Sequence, residues 1–367
     1  MSTVVDRVRE LLSQSGLTQH EFAARIGLDD SKLSKSFAGI RRFSSTDLAY
    51  VAERFEVTVD WLVTGQSTPI ALAARTTGGS AEAAIAEALR LSTIRSDIAS
   101  LGFGQRWRPA VLSAYRGSAI DRGRRLADHA LCMVSDSGFS INVDSPLPGL
   151  VEEVFGVDVA IIELGPGFDG LAASAEDAKL ILVATSHLPA RQRFTVAHEL
   201  GHLLAGDDQV LHLDKNIADE RQLGEASEVC ANAFAASFLM PESVLRDAID
   251  GTTIDRVGFS NLVCDLAVSP TALAHRLRSL DLLDAEASAD FGSMTMANAA
   301  AEAARVRDYA QLVAQAKSPR LPMQLVRDTY AAYDAGESTQ RPYANLIGVE
   351  VDILRDAMDT DRGAIEA

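Results

Sequence analysis

The stretch FTVAHELGHLLAGDD, residues 194–208, limits what this chain can become more than any other part of it. Phe194, Val196, Ala197, Leu200, Leu203 and Leu204 give a helix apolar surroundings, and Gly201 permits close packing against a neighbour. Inside that apolar setting lie His198, Glu199 and His202. Residues four apart share one face of a helix, so both imidazoles can point at one ion. Glu199, beside the first histidine, then reaches a water held by the ion and not the ion itself. HELGH therefore reads as an HExxH site for Zn²⁺, with His198 and His202 as metal ligands and Glu199 as the catalytic base.

A catalytic zinc needs a third protein ligand. Metzincins would carry Gly at position 205 and His at 208; Ala205 and Asp208 rule that class out. EVCANAFAASFLMP, residues 228–241, supplies a better candidate in Glu228. Glu228, Ala231, Asn232, Ala235, Phe238 and Leu239 fall on one helical face, and Pro241 ends the helix. Packed on the HELGH helix, that face brings the Glu228 carboxylate to the metal. Glu225 and Asp208 are the alternative third ligands, and His212 is a candidate donor to an oxyanion.

A chain of 367 residues calls for about two or three domains. Hydrophobic content of 47% with 23% charged residues is that of a soluble globular protein. No apolar run approaches the roughly 18 residues that span a membrane. MSTVVDRVRE places charges where a signal peptide has its apolar core, so a cytoplasmic location with no membrane partner is expected. Cys132, Cys230 and Cys264 are scattered, which fits reduced thiols and not a disulfide frame or a cysteine zinc site. Net charge is −17. Residues 1–66 hold eight Lys and Arg against nine Asp and Glu, which leaves −16 for the remainder. The acidic body would repel DNA, so any DNA contact belongs to the front of the chain.

That front carries short helical patterns with short gaps. Thr18-Gln19-His20-Glu21 has the capping-box form, Gly27 marks a turn, and Asp29 is placed to cap the next helix. TTGGSAEAA, residues 76–84, is the expected linker, followed by an Ala-rich helical region to about Gly104 and a helix over 122–133. Residues 157–164 and 179–185 are β-branched runs of strand length; the turn-rich GPGFDGLAAS between them predicts one small antiparallel sheet. Helical patterning dominates from Ala190 onward.

RFTVAHELGHLL followed by E-x-x-A-N-x-F-A-A-x-F-L-M-P resembles the ImmA/IrrE family of bacterial metallopeptidases, over about residues 120–285. VSPTALAHRLRSL, residues 268–280, is similar to the segment that follows in that family. The resemblance implies that His198, His202 and Glu228 are zinc ligands, that Glu199 is catalytic, and that the target is a DNA-binding repressor. Cys230 stands where the family commonly has Glu, a departure that bears on packing.

LTQHEFAARIGLDDSKLSKSFAG, residues 17–39, resembles the helix-turn-helix of the XRE, or Cro-type, repressors, and the likeness extends over residues 1–66. It implies helices over about 19–26 and 30–38, the second entering the major groove. Asp30, Ser31, Lys32 and Lys35 are then the base-facing candidates, with Gln19, Arg41 and Arg42 near phosphates. Asp29 and Asp30 sit where phosphate approaches; the first is explained as a cap, and the second can accept from a cytosine amine.

The expected architecture is mainly α with a small β-sheet, an α+β chain. Its parts are a helix-turn-helix domain (1–66), a helical linker region (67–119), a zincin-like HExxH peptidase domain (120–285) and a helical C-terminal region (286–367). The expected function is transcriptional regulation of operator DNA by a homodimer, with a zinc endopeptidase that cleaves a protein substrate, a repressor. Two alternatives stand beside it: a zinc domain that senses a ligand or partner without hydrolysis, and a peptidase whose front module only docks substrate.

Overall fold

The capping box read from Thr18 and Glu21 forms: the Thr18 hydroxyl accepts from the Glu21 amide, and the Glu21 carboxylate accepts from the Thr18 amide at 2.8 Å. It starts the second of the four helices whose bounds fall among the described residues of the first of two units, Met1–Ile70. These are α1 (Val4–Ser15), α2 (Gln19–Arg25), α3 (Asp30–Phe37) and α4 (Ser45–Arg54). Asp29 caps α3 through the Lys32 amide at 2.7 Å, and Ser44 with Asp47 repeats the capping box on α4. Phe22, Ile26, Leu33 and Val51 make their common core, with Phe22 stacked on Phe55.

The computed structural model describes residues 3–15, 17–55, 62, 71–76, 80–109, 117–164, 168–206, 217–249 and 254–365. The second unit, Ala71–Ala367, runs β1 (Ala71–Thr76), α5 (Ser80–Ser100), α6 (Ala119–Asp136), α7 (Leu147–Phe155), β2 (Asp158–Ile162), β3 (Phe168–Ser174) and β4 (Lys179–Ala184). It continues through α8 (Pro189–Ala205), α9 (Ile217–Leu239), α10 (Glu242–Ile249), α11 (Arg256–Leu266) and α12 (Pro270–Ser279). The last part holds α13 (Ala285–Gly292), α14 (Met296–Glu302), α15 (Val306–Lys317), α16 (Met323–Asp334), α17 (Gln340–Ile347) and α18 (Val351–Ile365). The chain is α+β, mainly helical with one small sheet. Among the described residues no single helix is long and apolar enough to cross a membrane.

The sheet has four strands in the order β1-β3-β4-β2. Two expectations are corrected here. The strand runs at 157–164 and 179–185 are parallel, not antiparallel: Asp158 pairs with Leu180 and Ile162 with Ala184. The reason is that FDGLAAS, read as turn, is itself a strand, and an intervening strand reverses the chain once more before β4. Its composition disguises it because α8 crosses it closely. A Cβ on Gly170 would stand 2.5 Å from the Thr195 methyl, so this strand is built from small residues where others use Val and Ile. The second correction is at residues 67–119, expected to be helical. Ala71–Thr76 forms β1, antiparallel to β3, before the helix over 80–100 begins. Residues 77–79 of the expected linker lie outside the described residues.

The main core lies between this sheet and α6, α8 and α9, with Val159, Ile181, Leu200, Phe234 and Phe238 fully buried. Pro189 opens α8, where a missing amide costs nothing, and Gly206 ends it in the left-handed region at φ 62°. Every residue from Thr195 to Leu204 is buried, as an apolar surround requires. The C-terminal helices are tied to this body by ionic groups. Arg95 on α5 binds Asp158 of β2 and Asp328 of α16 at 2.7 and 2.6 Å. Arg320 binds the buried Glu152 at 2.6 Å, and its backbone exchanges two hydrogen bonds with Ile161 of β2.

Candidate metal centre

The HELGH segment occupies the middle of α8, and α9 packs against it at Gly201. A Cβ on Gly201 would lie 2.9 Å from the Phe234 ring and 3.3 Å from the Ala231 Cα, so the two helices meet at a distance only glycine allows. This contact carries Glu228, one turn before Ala231, over the two imidazoles.

The three side chains converge. The Nε2 atoms of His198 and His202 stand 3.0 Å apart. Glu228 approaches His198 Nε2 at 3.6 Å through Oε2 and His202 Nε2 at 3.5 Å through Oε1. Among the described residues this is the group of His, Cys, Asp and Glu side chains whose donor atoms all lie within 4.8 Å of one another. Zinc ligands at about 2.0–2.1 Å in a tetrahedron are roughly 3.3 Å from each other. The observed edges bracket that value, and two nitrogens with one carboxylate are the donor types such a site uses. Both imidazoles are buried, while the Glu228 side chain keeps 32% exposure, so solvent or substrate has one side of entry. Ser227 Oγ lies 3.2 Å from His202 Nδ1 and can accept its proton, which leaves Nε2 as the lone-pair nitrogen. Glu199 is buried beside β3, its Cγ 3.5 Å from where a Cβ on Gly170 would stand.

Of the other third-ligand candidates, Asp208 lies outside the described residues, as does His212, and the Glu225 side chain is likewise not described. Sequence reasoning missed two contributors. Ser227 gave no signal beyond its place beside Glu228. Phe194 was read only as apolar surround, yet its ring lies 6.1 Å from that of His198.

In the first unit, Ser31, Lys32 and Lys35 are exposed on α3, and Arg42 is exposed after it. Several of the DNA candidates are held in place by neighbouring side chains. Gln19 Nε2 donates to Ser34 at 2.7 Å, joining α2 to α3. Asp30 pairs with His20 at 2.6 Å, a hydrogen bond that raises the His20 pKa. Lys32 Nζ sits 3.2 Å from Asp29, so the acid ahead of the helix is offset by its own lysine. Arg41 is half-buried and bound to Asp47 at 2.7 Å and to Ser36. That places Arg41 in the frame of the turn between α3 and α4.

Residues 152–278 match the family model of the IrrE N-terminal-like domain, a peptidase family, and residues 8–62 match a helix-turn-helix model. The chain thus carries a stretch similar to a helix-turn-helix and, after it, a stretch similar to the IrrE N-terminal domain. Over 110 residues the IrrE-like region is 37% identical to the radiation response metalloprotease IrrE of Deinococcus radiodurans, covering 28% of this chain and 33% of that protein. The Deinococcus deserti protein of the same name is 38% identical over 71 residues, 19% of this chain and 25% of that one. The chain thus spans a quarter to a third of the length of these relatives. A Mycobacterium tuberculosis transcriptional regulator of known structure is similar at 23% identity and a TM-score of 0.33, over 44% of this chain and 52% of that one, too distant to bear on fold or function. A helix-turn-helix stretch and a metallopeptidase-like stretch therefore lie in one chain.

Proposed function

We propose that this chain is a transcriptional regulator whose zinc-dependent endopeptidase cleaves a repressor, in trans or in its own chain, and so switches gene expression. The observation that carries the reading is the convergence of His198, His202 and Glu228 beside the buried Glu199. His198, His202 and Glu228 would hold the ion through Nε2, Nε2 and a carboxylate oxygen. Zinc bound there supplies Lewis-acid polarisation of a scissile carbonyl and acidifies a water toward neutral pH. The Glu199 carboxylate takes a proton from the attacking water and returns it to the leaving amine nitrogen. Both imidazoles are buried, which limits how far their rings can turn. Gln19, Asp30, Ser31, Lys32, Lys35 and Arg42 form the operator-facing side of the first unit, and a homodimer on paired half-sites adds the affinity that so few basic groups lack. The metalloprotease name of both Deinococcus relatives supports hydrolysis over a purely sensing role, as does Glu199, for which a sensor has no use.

Glu199→Gln separates the two. Zinc content, near one per chain, and DNA binding are expected to stay at wild-type levels, while cleavage of a co-expressed repressor, followed by mass, drops by roughly 10²- to 10⁴-fold. An intact expression switch in that variant refutes proteolysis as the signal.

A further inference from the structure

The face of α8 that carries the two imidazoles does not end at them. Going toward the N-terminus it continues as Phe194 and then Ala190 and Arg191, at helical spacing from His198 and His202. These residues line a cavity of about 490 Å³, within the roughly 300–1,000 Å³ of pockets that bury organic groups. Phe194 is shared: its ring meets that of His198 on one side and borders the cavity on the other. The opposite walls are apolar and adaptable, with Met240 from the end of α9 and Met294 and Met296 around the start of α14. Among the described lining residues the charged one, Arg191, is ion-paired with Asp169 at 2.6 Å.

We infer that this cavity receives a large apolar side chain of the peptide substrate, two to four residues from the bond that is cut. This inference rests on the peptidase reading. The spacing follows from the helix. Phe194 is four residues from His198, about 6 Å of rise, and Pro189 is nine residues away, about 13.5 Å. An extended peptide advances about 3.3 Å per residue, so a chain laid along α8 from the metal centre reaches the cavity after two to four residues. Met294, Met296 and Tyr309 lie beyond the stretch that matches the IrrE-like domain. The hydrolytic groups thus lie in the matching stretch, while part of the cavity wall comes from residues outside it.

The test is digestion of a proteome-derived peptide library by the full-length zinc-loaded protein, with cut sites read by mass spectrometry. Leu, Met or Phe is expected to be enriched two to four residues from the cut. Ala272→Trp, which fills the cavity, should lower kcat/KM on a preferred peptide by roughly 10- to 100-fold. It should leave zinc content unchanged and remove the preferred peptide's advantage over its Ala-substituted form. Met296→Ala, which enlarges the cavity, should shift the enrichment toward Phe and Trp. Binding of the preferred peptide to the Glu199→Gln protein, read by fluorescence anisotropy, should weaken in parallel when Ala272→Trp is added. Cleavage without positional preference, or a preference unmoved by both cavity variants, overturns the pocket and leaves the peptidase standing. No cleavage at all by zinc-bound wild-type protein overturns both.

Discussion

Gly201 sits inside the HELGH segment, and Gly201→Ala adds a single methyl at the place where α8 and α9 touch. That methyl would stand 2.9 Å from Phe234 Cδ1, 3.2 Å from Cγ and 3.3 Å from Ala231 Cα, against about 3.5–4.0 Å for a relaxed carbon contact. Phe234 cannot easily yield: it is fully buried and stacked on Phe238 at 5.2 Å. Overpacking of this kind costs about 1–3 kcal/mol, and the better helix propensity of Ala returns about 1 kcal/mol. The expected net loss is about 1 kcal/mol, or a fall in Tm of about 2–4 °C. The larger effect is on the metal. Relief of the clash moves α9 outward by several tenths of an ångström and takes Glu228 with it, from edges that are already 3.5 and 3.6 Å. Zinc affinity, measured by competition with a chelating fluorophore, is expected to fall about tenfold, as when a group supporting a ligand is disturbed. A Gly201→Ala protein as stable as wild type, with unchanged zinc affinity, refutes both the close-packing argument and the role of α9 as the carrier of the third ligand.

Three further outcomes can be measured. Arg320→Met leaves Glu152, whose pKa burial already pushes up, without its cation; stability in urea should fall by about 3 kcal/mol and recover in part with Glu152→Gln. In the first unit, backbone and side-chain hydrogen bonds from Thr18 lower the Glu21 pKa and the Lys32 amide lowers that of Asp29; burial opposes the shift at Asp47, but Ser44 and Arg41 outweigh it. A lowered folded-state pKa contributes stability above the unfolded value and loses it as pH falls, so amide protection in α2–α4 should be flat above about pH 5 and decline below about pH 4; a flat profile down to pH 3 refutes the caps as the cause. Lys35→Ala should weaken operator binding, with unchanged affinity counting against α3 as the reading helix.

Legibility followed the strength of local rules. The capping boxes at Thr18 and the cap at Asp29 are short-range chemistry and form as read. HELGH and the apolar face of 228–239 could be paired because both are helical periods and helix packing brings periodic faces together. The sheet was harder. Strand β3 is composed of Phe, Asp, Gly, Leu, Ala and Ser because α8 lies almost in contact with Gly170, and a tertiary demand of that sort has no local signature. Once β3 is missed, the direction of β4 relative to β2 is wrong as well. The Arg95–Asp158–Asp328 group joins positions 63 and 233 residues apart along the chain, and no spacing rule announces it.

The backbone pairing of Ile161 with Arg320 bears on where this chain can be divided. Without residues 318–323, strand β2 would present unsatisfied amide and carbonyl groups along a buried apolar strand, with Glu152 sealed in behind it. A bare edge of that composition recruits other strands. A fragment trimmed to the stretch that matches the IrrE-like domain is therefore expected to aggregate, whatever its metal content. The IrrE-like part of the molecule has no natural end at residue 278: its last strand neighbour arrives some forty residues later, borrowed from the tail.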